Sequence, residues 1–177
     1  MKSNEELLAR ARRAYERARL WRGVRAAAFV VPLMLASFGG CGRPAVSAFL
    51  AGVLAVLVTI LVWRGGSAAR AVGPGYLAGI VPLAIPLVVC PACDRAGVVG
   101  TIPLAACVVG GLASGAIVVY AATREREDRA AFVAAGGAIA ALAGSLSCVV
   151  IGLGGVIAMA IGVALVAPLG LRSARAV

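Results

Sequence analysis

The sequence predicts an all-α, polytopic membrane protein: a bundle of six membrane-spanning helices with both termini on the cytoplasmic side. Three observations carry that expectation. Apolar residues fill 62% of the 177 positions and charged residues only 14%, with a mean hydropathy of +1.02. Soluble domains hold about 45–50% apolar and about 25% charged residues, and a chain this short has too little interior to hide the excess. The charged residues punctuate long apolar runs, and the basic ones gather on alternate connections.

Residues 1–25 are expected to form a basic amphipathic helix. Ser3 with Glu6 three positions on is a capping-box pattern. Leu7, Ala11, Ala14, Ala18 and Trp21 recur at three- and four-residue steps, while Arg10, Arg12, Arg13, Arg17 and Arg19 fill other faces. Such a helix lies on an inner leaflet, and its arginines can bind carboxylates of a cytoplasmic partner.

The six-helix domain is placed at 26–171. The first four uncharged runs, 26–42, 44–63, 71–93 and 96–123, each approach the roughly 20 residues of a spanning helix. The last, 130–171, is 42 residues long. As one helix it would measure about 63 Å, twice the hydrocarbon thickness of about 30 Å. It must fold back, and the polar stretch Gly144-Ser145-Leu146-Ser147-Cys148 is the expected turn. Spans at 130–146 and 149–171 follow, with a cytoplasmic tail at 172–177. Pro32, Pro74, Pro82, Pro86 and Pro103 are expected to start or kink helices. The pairs Gly75/Gly79 and Gly111/Gly115 have the small-xxx-small spacing that lets membrane helices approach closely.

Orientation follows from 17 basic residues, eight of them in the first 25 positions. With the N-terminus inside, 15 fall on the cytoplasmic side and only Arg43 and Arg95 outside. Trp21, Trp63 and Tyr120 stand at cytoplasmic ends of spans, where interfacial rings belong. The net charge of +10 is therefore membrane anchoring, not a nucleic-acid face. An Ala-, Gly-, Val- and Arg-rich composition points to a GC-rich bacterial genome, and hence to the inner membrane. Phe38-Gly39-Gly40-Cys41 has the outline of a lipoprotein signal, but 25 basic-region residues precede it, so no cleavage is expected.

No Asp, Glu, Lys or Arg lies deep within an expected span, and the chain has no His. Proton relays, intramembrane hydrolysis and histidine metal sites lose their usual residues. An enzyme is the less favoured class, and no metal is assigned. What remains is a set of thiols: Cys41, Cys90, Cys93 and Cys148 all map to the outer face, with Cys107 inside a span. Thiols facing an oxidising compartment tend to pair, and four of them allow three connectivities. Cys90-Pro91-Ala92-Cys93 is a CxxC unit, the spacing of thiol oxidoreductases and of half a zinc site, for which zinc is not favoured.

A short cytoplasmic start, six spans, Cys90 between spans three and four, Cys148 between spans five and six, and the small-residue run Ala138–Gly144 together resemble the six-helix bacterial negative regulators of sigma factors. Cys41 and Cys93 are additional to that pattern, and Ser147 stands where a His would precede the second cysteine. The resemblance implies a regulator without a cofactor that sequesters a cytoplasmic sigma factor and responds to an extracytoplasmic thiol or metal signal. The outer CxxC also looks like that of the quinone-linked membrane thiol oxidases, which usually have four spans. On that alternative Cys90 and Cys93 are catalytic and a quinone is the electron acceptor.

Overall fold

A computed structural model describes residues 2–38, 44–96, 101–125, 127–148, 157, 160–166 and 168. Among them the chain is all-helical: α1 (Lys2–Ala27), α2 (Val30–Phe38), α3 (Pro44–Arg64), α4 (Gly66–Arg70), α5 (Val72–Ala96), α6 (Thr101–Ala122) and α7 (Arg129–Cys148), with a further helical stretch at 160–166. α7 is central and touches α2 to α6, α5 most extensively, while α1 packs along α3.

Among the described residues, two helices are long and apolar enough to cross a membrane: Ala45–Arg64 and Arg129–Leu146. Their burial is the reverse of what water would impose. The more apolar, with a mean hydropathy of 2.7, is only 22% buried, whereas the less apolar, at 1.5, is 61% buried. Phe49, Val53, Val56 and Ile60 make an exposed apolar face along α3. A soluble monomer would bury its most apolar helix, so this pattern favours membrane association.

α1 differs from expectation in two ways. It begins at Lys2, so Ser3 is helical and not the N-cap. It also runs unbroken for 26 residues, past the charge boundary at Arg25. Its second half packs antiparallel to α3, Arg19 against the end of α3 and Gly23 against Thr59, while Glu6 to Ala18 are exposed. Lying flat on a leaflet would need a bend between the two halves. Helices bend sharply at Pro, Gly/Ser pairs or bulges. α1 has no Pro, and its only Gly is wedged against α3. The first half therefore continues the axis of the second, beyond Arg64, for about 25 Å.

Proline explains both the break after α1 and a bond across the bundle. Pro32 cannot donate to the Ala28 carbonyl, and its ring crowds that oxygen. α1 accordingly ends at Ala27, and the chain turns at Ala28-Phe29 before α2. Tyr76 Oη of α5 donates to the Ala26 carbonyl at 3.2 Å, at a helix end where that oxygen otherwise accepts a long 3.4 Å bond from the Phe29 N–H. Within α5, Pro82 likewise offers no N–H to the Ala78 carbonyl. Buried Ser114 of α6 reaches it instead, with Oγ 2.7 Å from Ala78 O and 2.8 Å from its own Gly110 O. A neighbouring hydroxyl that satisfies a proline-freed carbonyl is a known way to keep such a helix intact in lipid. Ser114→Ala is expected to destabilise the fold by about 1–2 kcal/mol. In a Pro82→Ala background the loss should shrink, which thermal unfolding in detergent will read. Pro32, Pro44, Pro74 and Pro103 all sit in first turns, where proline is tolerated.

Both glycine pairs are used. A Cβ at Gly75 would stand 3.0 Å from the Gly136 carbonyl of α7, and one at Gly79 would overlap the Ala143 Cβ. On α6, a Cβ at Gly115 would stand 3.0 Å from Val166 Cβ, and one at Gly162 only 2.9 Å from Gly111 Cα. The stretch 160–166 thus returns along α6, and a Cβ at Gly137 would meet Val163 at 3.3 Å on α7. The chain does fold back after α7, but not where its polarity suggested. Gly144–Cys148 is the last turn of α7. Ser145 donates to the Leu142 carbonyl of its own helix at 2.8 Å, so its hydroxyl asks for no turn.

Candidate functional site

Among the described side chains, the charged residues of the bundle gather at one end. α3 stops at Arg64, and Gly65 and Gly66, with φ of 77° and 72°, turn the chain into the five-residue α4. Only glycine adopts such angles without strain. Arg19 of α1 reaches across, its Nη2 donating to the Arg64 carbonyl at 2.7 Å. A guanidinium on the last carbonyl of a helix satisfies an orphan acceptor and suits the negative end of the helix dipole.

Arg70, the last residue of α4, binds the connection between α6 and α7. Its Nε donates to Glu125 Oε2 at 2.9 Å and its Nη2 to Glu125 Oε1 at 2.7 Å. The same Nη2 also donates to Glu127 Oε2. The hydrogen bond to Glu125, then that to Glu127, raises the pKa of Arg70 further above its already high value. A raised pKa contributes stability below the unfolded value and loses it only as pH rises through the folded one. For an arginine that window lies above about pH 12, so the Arg70 charge stays intact at every working pH. Arg129 Nε donates to the Glu125 carbonyl at 2.7 Å. Asp128 is the N-cap of α7, its Oδ1 accepting from the Ala131 N–H at 3.0 Å. Asp128→Ala is expected to lower stability by about 1 kcal/mol, measurable as a reduced Tm.

Aromatic rings surround this end. Arg19 lies over Tyr15 at 5.6 Å, Arg25 over Trp21 at 5.7 Å and Arg124 over Tyr120 at 5.5 Å. Trp63 stands beside Arg64 and is half exposed. The three rings singled out in the sequence thus share the arginine-rich end.

Of the five arginines assigned to partner binding, four lie along the exposed arm. Arg12 pairs with Glu16 of its own helix at 3.4 Å, and Arg13 Nε donates to the Ala9 carbonyl at 3.3 Å. Arg10 and Arg17 are exposed. Arg19 is half-buried and engaged with α3, so it anchors the arm.

The thiols distribute differently. α5 starts beside Arg70 and α7 beside Glu125, so both run away from the polar end. Cys90 and Cys93 fall in the last two turns of α5, and Cys148 is the last residue of α7, not part of a connection. Positions 90 and 93 are one helical turn apart. Their side chains, that of Cys148 and the whole of Cys41 lie outside the described residues. Cys107 is buried within α6.

Sequence reasoning missed the Arg70–Glu125–Glu127 cluster. The signal was present: three of the seven acidic residues crowd into 125–128, and Arg70 closes the other connection assigned to the same side. No protein-family model matches the chain, nor does any curated protein or solved structure.

Proposed function

We propose that the chain is a six-span protein of the bacterial inner membrane, with both termini cytoplasmic, whose α1 holds a cytoplasmic sigma factor under control of thiols at the outer face. The observation that carries this reading is the exposed first half of α1. Arg10, Arg12, Arg13 and Arg17 stand on a continuous helix held to the bundle by Arg19 and Gly23. A rigid, ordered arm presents charges to a partner at lower entropic cost than a flexible tail. The topology draws support from the Arg70–Glu125 bond, which joins the two connections expected inside. It draws further support from helices along each of the five uncharged runs, short on the first (α2) and of 20 residues or more on the other four.

The thiol oxidase alternative is weaker. Reactive CxxC pairs exploit the positive end of a helix dipole, whereas Cys90 and Cys93 occupy the C-terminal end of α5.

Regulation requires two arrangements of the bundle that differ in affinity for the partner, and a tenfold difference needs about 1.4 kcal/mol. The test is an affinity pull-down from the native host in mild detergent. Intact protein should recover a sigma factor, and reversal of charge at Arg12, Arg13 and Arg17 should abolish recovery. Cys90→Ser with Cys148→Ser should change its amount. Recovery of no sigma factor by the intact chain would overturn the proposal. Recovery indifferent to the cysteines would leave an anchor without a sensor.

A further inference from the structure

We infer that the groove between the α1–α2 turn and α5 is a binding site for one anionic phospholipid, its acyl chain in the groove and its headgroup on Arg22 and Arg25. The inference rests on the membrane reading but not on the sigma-factor reading. The groove has a volume of about 690 Å³ and an almost wholly apolar lining that includes Ala26, Phe29, Leu33, Gly73, Tyr76 and Leu83. That size falls within the range of ligand pockets, about 300–1,000 Å³.

Its form comes from the chain break at Pro32. Because α1 stops at Ala27, Phe29 swings outward and remains largely exposed, its ring 6.5 Å from that of Tyr76. The Tyr76 hydroxyl is already bonded to the Ala26 carbonyl, leaving the ring as an apolar wall. Along α5 the lining runs from Val72 to Leu83, about 16 Å at the helical rise. That is the depth of a single leaflet, half of the roughly 30 Å hydrocarbon core.

The groove's upper end lies beside the arginine-rich end, because Val72 follows Arg70 by two residues. There the charge is positive and partly unclaimed. Arg22 is one helical turn before Ala26, on the adjoining face of α1, and Arg25 immediately precedes it. Arg70, by contrast, is neutralised by Glu125 and Glu127, and no ion pair to Arg22 or Arg25 is present among the described residues. An apolar slot one leaflet deep, with two arginines that form no ion pair among the described residues within a helical turn of its Ala26 wall, fits a lipid with a negative phosphate headgroup better than a zwitterionic one.

Gly73 supplies a clean block. A Cβ there meets nothing within 4 Å, so a larger side chain enters the groove without disturbing the fold. The experiment is native mass spectrometry of the full chain, purified in detergent and mixed with equimolar phosphatidylglycerol and phosphatidylcholine of identical acyl chains. The wild type should retain one phosphatidylglycerol with a preference of about tenfold or more. Arg22→Gln with Arg25→Gln should bring the preference close to unity. Gly73→Leu should lower retention of both lipids, whereas Gly52→Leu, on the open face of α3, should lower neither. Equal retention of the two lipids by the wild type, or a preference that survives the double glutamine change, overturns the inference. Recovery of the chain from the aqueous fraction without detergent would instead overturn the membrane reading beneath it.

Discussion

Gly79→Ala is expected to separate α5 from α7 and to be among the most damaging single-methyl additions in the chain. The new Cβ would overlap the Ala143 Cβ, with the Ala140 backbone immediately behind it. No flexible side-chain end is available to yield, so the backbones must move apart. Overpacking of this kind costs about 1–3 kcal/mol, a large share of a stability of about 5–15 kcal/mol. The loss should propagate, because α7 is the helix on which the others converge. Gly52→Ala is the matched control. Its Cβ meets nothing within 4 Å, and alanine is the better helix former, so stability should hold or rise by up to about 1 kcal/mol. Thermal unfolding in detergent, followed by circular dichroism, measures both. Adding Ala143→Gly to Gly79→Ala should restore most of the loss, since it removes the atom that collides. Absence of rescue would mean that the close α5–α7 contact is not what the glycine serves.

An all-or-none result is expected from thiol labelling. Single-cysteine variants retaining Cys41, Cys90, Cys93 or Cys148 should react, after reduction, with a membrane-impermeant maleimide in intact spheroplasts. Thr123→Cys, exposed at the arginine-rich end, should react only once the membrane is permeabilised. Cys107 should resist in both conditions, being buried in α6. On the proposed topology 15 basic residues fall inside and 2 outside, the bias expected of a cytoplasmic N-terminus. Reversed labelling, with position 123 reactive from outside, would invert the topology and remove any route from outer thiols to a cytoplasmic partner.

Much of the helical layout was legible because charge ends apolar runs. The expected run 44–63 became Pro44–Arg64, and 130–146 became Arg129–Cys148. Charge misled where a helix ignores it. Arg22 and Arg25 stand exposed on a helix that runs on past them, so the break came at Ala28-Phe29, set by Pro32, and not at the last arginine. Polarity misled at Ser145 for a related reason, since a serine can return its hydroxyl to its own helix. Glycine spacing announced that close contacts were possible, but not which helices would meet. Gly75 and Gly79 chose α7, and Gly111 and Gly115 chose the returning stretch 160–166, through three-dimensional packing that no local pattern encodes. The Ser114 bond was equally hidden, because it pairs a proline on one helix with a hydroxyl 32 residues further along the chain.

The unbroken course of α1 has a mechanical consequence. A rod clamped at Gly23 is a lever with its fulcrum inside the bundle and its free end among the exposed arginines. From Gly23 to Leu7 the arm is about 24 Å long. A tilt of about 10° at the clamp would carry the tip some 4 Å sideways, at the fixed rise per residue. A displacement of that size exceeds a hydrogen-bond length. Small rearrangements around α3 would therefore reach the tip magnified, with no hinge along the way to absorb them.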